Sequence, residues 1–195
     1  MEESKKYTED GSVLRVYHTG FHVLREPDIR IGRKNADFGQ GFYLSLSDAF
    51  AGKWARENRA GEVYVNCYEL SLAGLRVLRL SRDERWFDYI SHNRALRGED
   101  YPEADVVIGP IANDTIYDTF GILTSGYLDP ALSLSLLRLG PCFEQLVVKT
   151  ERARAQLRWL SARTLGREEL SRFSDELLRE QEDYQRAIAA ILEEE

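Results

Sequence analysis

Residues 37–55 read Asp-Phe-Gly-Gln-Gly-Phe-Tyr-Leu-Ser-Leu-Ser-Asp-Ala-Phe-Ala-Gly-Lys-Trp-Ala, and this stretch decides how the fold is interpreted. Gly39 and Gly41 are typical of a loop whose backbone passes close to a bulky group. The apolar run 42–44 predicts a short strand, and Ser47 is a suitable N-cap for a helix to about residue 59. The stretch therefore predicts a loop, a strand and a helix in immediate succession.

Tyr43 and Trp54 lie 11 residues apart in this unit. One interpretation makes them the two walls of a slot for a flat ring, because offset-stacked aromatic faces attract each other. The other makes the stretch a glycine hairpin with two aromatic residues in the core. On this segment alone the second interpretation is the simpler.

Size and composition predict a single soluble domain. The chain has 195 residues, of which 43% are hydrophobic and 30% charged, and no apolar run is long enough to span a membrane. Its N-terminus lacks the apolar core of a signal peptide. Cys67 and Cys142 are too few for a disulfide scaffold, and no Cys/His cluster has zinc spacing, so we expect a cytoplasmic protein without a metal. The net charge of −7 argues against nucleic-acid binding and fits a basic partner protein.

The remaining pattern mixes strands and helices, which predicts an α+β fold. Strands are predicted at 13–17, 62–70, 75–80, 104–108 and 142–149. Helices are predicted at 82–96, at 129–139 after the N-cap Asp129, and at 166–195 with an amphipathic stripe. From residue 150 onward we expect helical structure. The predicted organisation is a mobile N-terminus over 1–12, a domain over 13–160 and a C-terminal helical extension over 161–195.

Three groups of polar residues stand where ligand contacts often occur. His18, Thr19 and Gly20 follow the first strand. Arg33 belongs to a basic segment before the glycine loop and is suited to bidentate contact with a diphosphate. It is equally well interpreted as a solvated residue or as a partner of Asp37. Glu144 and Gln145 begin the last predicted strand.

The order of these pieces resembles the ADP-ribosyltransferase superfamily, in the branch with a His, a Tyr and a Glu as signature residues. Diphtheria-like toxins and the poly(ADP-ribose) polymerases belong to this branch. The sequence is most similar to a bacterial family formerly of unknown function that pairs Asp-Phe-Gly-x-Gly-Phe-Tyr with Ile-Gly-Pro-x-Ala-Asn-Asp. Both motifs are present, at 37–43 and at 108–114. The resemblance covers about residues 13–160.

The resemblance implies a split antiparallel β-sheet with surrounding helices, a cleft that holds NAD and a C-terminal amphipathic helix. It implies that His18 binds the adenosine-side ribose and that the backbone at Thr19 and Gly20 clamps the nicotinamide carboxamide. Tyr43 and Trp54 would sandwich the nicotinamide ring. The implied cofactor-binding set is His18, Thr19, Gly20, Arg33, Gly41, Phe42, Tyr43 and Trp54.

The implied catalytic set is Gln145, Tyr43, His18 and Glu144. Cleavage of the bond between ribose and nicotinamide passes through an oxocarbenium-like state, and a hydrogen bond to the ribose 2-hydroxyl lowers its barrier. In the family a Glu before an apolar strand accepts that bond. Here the strand alignment places Gln145 in the Glu position with Glu144 beside it. Only one of these neighbours faces the cleft, because successive strand residues point to opposite faces, and we expect it to be Gln145.

The implied function is mono-ADP-ribosyl transfer from NAD to a macromolecular acceptor by a bacterial toxin, effector or toxin–antitoxin component. A protein acceptor is favoured over nucleic acid, and the implied partners include an antitoxin or immunity protein but no membrane. Two alternatives remain open: an NAD glycohydrolase, and a catalytically silent module that binds NAD or a partner. The neutral Gln145 favours the silent module, as does the C-terminal stripe if it binds a partner instead of folding back over the domain.

Overall fold

Seven strands form one mixed sheet in the computed structural model, which describes residues 11–55, 62–98, 100–116 and 128–193. The strands are β1 (Val13–Gly20), β2 (Phe42–Ser45), β3 (Tyr64–Ser71), β4 (Val77–Arg79), β5 (Val106–Pro110), β6 (Glu144–Val148) and β7 (Leu157–Thr164). Their spatial order is β4-β5-β6-β2-β1-β3-β7. The α+β prediction is therefore confirmed. Most of the predicted N-terminal segment, residues 1–10, lies outside the described residues, as does the stretch 56–61 after the first helix.

Six helices occur among the described residues. They are α1 (Asp48–Lys53), α2 (Glu84–Arg94), α3 (Asn113–Ile116), α4 (Pro130–Leu137), α5 (Glu151–Arg154) and α6 (Arg167–Glu193). The predicted caps are confirmed, because the Ser47 side chain accepts a hydrogen bond from the amide of Phe50 and Asp129 accepts bonds from the amides of Ala131 and Leu132.

The central strands bury side chains on both faces. Val106 and Ile108 pack in one core with Phe42 and Leu44, whereas Val107 faces a second core formed with α2 and α4. Successive strand residues point to opposite faces, so a strand buried on both sides is apolar without alternation. This explains the continuous apolar run of β5.

Two predictions of the architecture are wrong. The sheet is not wholly antiparallel, since β4 pairs in parallel with β5. Helical structure from residue 150 onward is interrupted by β7, which pairs with β3 over most of its length. The edge of β3 supplies the backbone partners for this strand, and such tertiary pairing overrides local propensity. The sheet consequently continues to Thr164, past the predicted domain boundary at 160.

The C-terminal helix folds back over the domain, as predicted. Phe173 and Tyr184 of α6 are buried, and the Lys53 ammonium lies 2.5 Å from the Glu180 carboxylate. No helix among the described residues, including the 27-residue α6, has the length and apolar character needed to cross a membrane.

Candidate functional site

A cavity of about 680 Å³ lies between two halves of the sheet that are joined by very little backbone pairing. Strands β1 and β2 are paired only at Tyr17 and Ser45, whereas β1 pairs with β3 along eight residues and β2 pairs with β6 along four. The two strands therefore diverge, and the cavity opens beside them. Its described lining is Tyr17, His18, Thr19, Arg33, Asn35, Ala36, Asp37, Tyr43, Leu44, Ser45, Ala51, Trp54, Arg94, Ile111, Thr115 and Gln145.

His18 presents one fixed tautomer to this cavity. Its Nδ1 lies 2.9 Å from the carbonyl oxygen of Tyr43, and a carbonyl only accepts hydrogen bonds. Nδ1 therefore carries the proton, and in the neutral ring Nε2 is left as an acceptor. Burial lowers the pKa of His18, and the bond to the Tyr43 carbonyl opposes that shift only in part. The neutral ring is thus the form that this environment favours.

Tyr43 holds the glycine loop as well as lining the cavity. Its hydroxyl donates to the carbonyl of Gly39 at 2.7 Å and accepts from the amide of Phe38 at 3.0 Å. On the other side the Lys149 ammonium donates to the Phe38 carbonyl at 2.7 Å. With both backbone groups of Phe38 bonded, the loop has a fixed path beside the Tyr43 ring.

Trp54 reaches the cavity from the end of α1. It is the C-cap residue of that helix, and its indole packs edge-on against Phe50 with ring centroids 5.9 Å apart. Thr19 links β1 to the same helix, because its hydroxyl donates to the Ala51 carbonyl at 2.5 Å. The helix thereby places one aromatic side chain in the cavity wall that Tyr43 also lines.

Gln145 faces the cavity and Glu144 does not. Gln145 is 8% exposed and lies opposite Ser45 in the sheet, whereas Glu144 is exposed and lies opposite Pro110. The side-chain nitrogen of Gln145 is buried without a hydrogen-bond partner in the described part of the chain. An unpaired buried amide is unfavourable by roughly 1–3 kcal/mol, so its environment favours a ligand that supplies the missing partner.

Four of the predicted site residues do not line the cavity along the described chain: Gly20, Gly41, Phe42 and Glu144. Gly41 instead packs against Val147 and Val148, where a side chain would not fit. Phe42 is a core residue with its ring edge-on to Tyr68, 5.7 Å between centroids. Strand alternation explains the positions of Phe42 and Glu144, because each points to the sheet face opposite that of its neighbour, Tyr43 or Gln145.

A buried ion pair in the cavity wall is a feature that the sequence did not predict. The Arg94 Nε donates to an oxygen of the Asp37 carboxylate at 2.8 Å, and Arg94 Nη2 donates to the Thr115 hydroxyl at 2.7 Å. Asp37 thus pairs with an arginine at the end of α2, not with the nearby basic segment. Arg94 and Thr115 are distant in sequence and have no diagnostic spacing. The sequence signal for this group is limited to position: Asp37 begins the first motif, and Thr115 directly follows the second.

The comparisons with known proteins identify one family. A family model described as "Protein of unknown function (DUF3990)" matches residues 14–159, which include both motifs. No curated protein and no solved structure matches the chain.

Proposed function

This chain belongs to the DUF3990 family, described as proteins of unknown function, and we propose that it is a mono-ADP-ribosyltransferase that consumes NAD. One observation supports the proposal above all: His18, Tyr43, Trp54 and Gln145 come from four separate elements and line the same cavity. Its volume of about 680 Å³ falls in the range of roughly 300–1,000 Å³ that is usual for small-molecule sites.

Each of these residues suits a distinct part of the reaction. The Nε2 of His18 accepts a hydrogen bond from a ribose hydroxyl. Tyr43 and Trp54 provide aromatic surface for the nicotinamide ring, and Arg33 provides positive charge for the diphosphate. Gln145 orients the ribose from which nicotinamide leaves, through its unpaired amide.

We assign the transferase to a bacterial toxin, effector or toxin–antitoxin component that acts in the cytoplasm. The support for this context is the resemblance to diphtheria-like toxins described above. An antitoxin or immunity protein is then the expected inhibitor.

A second candidate function is NAD binding without transfer. It is favoured by the amide at position 145, because a neutral group stabilises positive charge on the ribose less well than a carboxylate does. The third candidate function is NAD hydrolysis, in which water is the acceptor.

Two measurements separate these functions. NAD at about 100 times its Kd stabilises a binding protein by about 2.7 kcal/mol, which for a chain of this size raises the Tm by roughly 5–10 °C. Chromatography of nicotinamide, with and without lysate as a source of acceptors, then tests turnover. Release that depends on lysate indicates the transferase, release without it the glycohydrolase, and stabilisation without release the silent module. Absence of both release and stabilisation leaves a silent module that binds a partner instead of NAD.

Variants of the two neighbouring residues test the site itself. We expect Gln145→Ala to slow nicotinamide release about 100-fold, the usual effect of losing one preorganised polar group. Glu144→Ala is the matched control, since this exposed residue lies on the opposite face of the same strand, and we expect an unchanged rate. Equal effects of the two substitutions would remove Gln145 from the site.

A further inference from the structure

The cavity has no side chain with a carboxylate free to take a proton from an acceptor, among the residues described. Gln145 occupies the position where a carboxylate is expected, and a carboxamide is not a base at neutral pH. Among the described residues of the lining, Asp37 alone carries a carboxylate; it is 7% exposed and bound by the Arg94 Nε at 2.8 Å. Both of its carboxylate oxygens have partners within the chain, since the Thr115 hydroxyl lies 3.4 Å from the second one.

The remaining titratable groups of the lining are also poor bases. Burial lowers the pKa of His18, so its ring takes up a proton less readily than an ordinary histidine. Burial raises the pKa of Tyr17, which therefore keeps its proton at neutral pH. Arg33 and Arg94 are cations, and the Tyr43 hydroxyl is bonded within the glycine loop.

Resting on the proposed function, we infer that the acceptor of this site is a carboxylate side chain of a protein, which attacks already ionised. In the transfer step the bond from ribose C1 to the nicotinamide nitrogen breaks, and its electron pair leaves with nicotinamide, which becomes neutral. A lone pair of the acceptor carboxylate forms the new bond from oxygen to C1, an ester. No proton is released, so this step needs no base. An alcohol or water would have to give up a proton in the same step.

The loop at the cavity mouth favours such an acceptor. Arg33 lines the cavity, Lys34 beside it is exposed, and no ion pair involving Lys34 occurs in the described part of the chain. Arg30 differs from them, because it is bound to Asp28 at 3.0 Å. On a chain with a net charge of −7, and with Arg33 assigned to the diphosphate, the exposed Lys34 ammonium attracts a carboxylate locally.

An apolar residue in the same loop favours protein over nucleic acid. Ile31 is 82% exposed, the largest value among the exposed large hydrophobic residues of the described chain. An exposed isoleucine can pack against an apolar side chain next to the acidic residue of an acceptor protein. The phosphate backbone of a nucleic acid offers no such apolar surface. The expected acceptor is therefore a Glu or Asp side chain with apolar neighbours.

Small acceptors at equal concentration test the chemistry. The full chain is incubated with NAD and either N-acetylglutamate amide or N-acetylserine amide, and the adduct is quantified by mass spectrometry. We expect the glutamate adduct to form about 100-fold faster, a typical contribution of the base that the serine would require. We expect Gln145→Glu to supply that base and to narrow the preference at least tenfold. Equal rates with the two acceptors, or an unchanged preference in Gln145→Glu, would overturn the inference.

Larger acceptors test the source of the carboxylate. The probes are a peptide with one glutamate between leucines, the same peptide with glutamine, and a 5′-phosphorylated single-stranded DNA. Only the first is expected to be modified, by a bond that hydroxylamine cleaves as it does other esters. Faster modification of the DNA or of the glutamine peptide would contradict the assignment.

The mouth is tested by reversing one charge. Lys34→Glu is expected to lower kcat/KM about fivefold for the glutamate peptide and for N-acetylglutamate amide, because both carry the carboxylate that Lys34 attracts, while NAD-dependent stabilisation stays nearly the same. Arg186→Glu, on an exposed face of α6, is the matched control and is expected to change neither. Equal effects of the two reversals would remove the loop from acceptor binding.

NAD-dependent stabilisation is measured throughout: its absence refutes the transferase, whereas stabilisation with equal use of both small acceptors refutes only the carboxylate acceptor.

Discussion

His18 shows how one backbone contact determines the chemistry of a side chain. The carbonyl of Tyr43 holds the proton on Nδ1, and the low polarity around the ring lowers its pKa. Both effects leave Nε2 as a hydrogen-bond acceptor at neutral pH. Tyr43 supplies that carbonyl from β2, whereas His18 lies on β1. The position of β2 beside β1 therefore determines which nitrogen of His18 carries the proton.

The affinity for NAD is expected to depend on this protonation. Since the pKa of His18 lies below its ordinary value of 6.5, the neutral ring is the major form at and above pH 6.5, and affinity should change little there. As the pH falls through the lowered pKa, Nε2 gains a proton and can no longer accept, so affinity should fall by up to about tenfold per pH unit. Titration calorimetry between pH 8 and pH 5 measures the change.

The same shift has a consequence for stability. The free energy of unfolding that the neutral ring contributes is complete above pH 6.5 and is lost as the pH falls through the lowered pKa. His18→Ala serves as the control, because it should weaken NAD binding at neutral pH and remove this dependence. A pH profile shared by wild type and His18→Ala would assign the titration to another group.

At the scale of elements, the loop between β1 and β2 is held by a contact between two glycines. A Cβ on Gly32 would overlap the carbonyl oxygen of Gly41, so the loop lies directly on the backbone that precedes β2. The Gln40 side chain adds two bonds, to the carbonyls of Arg30 at 2.5 Å and of Gly32 at 3.1 Å. This contact fixes the path of the chain just before Arg33 enters the cavity wall.

Gly32→Ala should therefore displace the loop. We expect it to weaken NAD binding about tenfold or more and to lower the free energy of unfolding by roughly 1–3 kcal/mol, as overpacking usually does. Gly11→Ala is the control, because no atom lies within 4 Å of the added methyl group. Calorimetry and urea unfolding give the two quantities, and indistinguishable results for both variants would show that the glycine contact does not position the loop.

The elements that sequence reasoning predicted are those with local signals. Ser47 and Asp129 begin helices because their side chains bond to nearby amides, and β3 alternates along its own length. The strand β7 has no comparable signal, since its partner β3 is far away in sequence.

The residues of the site likewise divide into those with a local sequence signal and those without one. Motif residues such as Tyr43 were found, whereas the ion pair of Asp37 with Arg94 joins distant segments without a characteristic spacing.

At the scale of the whole molecule, α6 braces α1, which contributes to the cavity wall, and also contacts α4. Phe173 packs so closely on Gly52 of α1 that a side chain there would not fit, and the hydroxyl of Tyr184 donates to the Leu136 carbonyl of α4 at 3.2 Å. The C-terminal stripe is thus occupied within the chain at its two buried positions. It follows that Trp54, at the end of α1, depends on a helix more than a hundred residues later.

Phe173→Ala should destabilise the protein by about 3–5 kcal/mol, the usual effect of removing a buried phenylalanine. Because α1 loses its support, we expect NAD affinity to fall as well. Leu178→Ala is the matched control on the same helix, since Leu178 is 55% exposed, and it should change stability by less than about 0.5 kcal/mol. Urea unfolding compares the two, and a similar small loss in both would show that α6 is not a brace.

The narrow junction of β1 with β2 gives a bound molecule a mechanical role. A bound molecule contacts both halves of the sheet, where β1 and β2 are paired at one position. It therefore holds together two halves that little backbone pairing joins. One half contributes Tyr17, His18 and Thr19 to the cavity wall, and the other contributes Tyr43, Ser45 and Gln145. Because this coupling is reciprocal, a substitution that favours separation of the two halves, however remote, should also lower the affinity for the bound molecule.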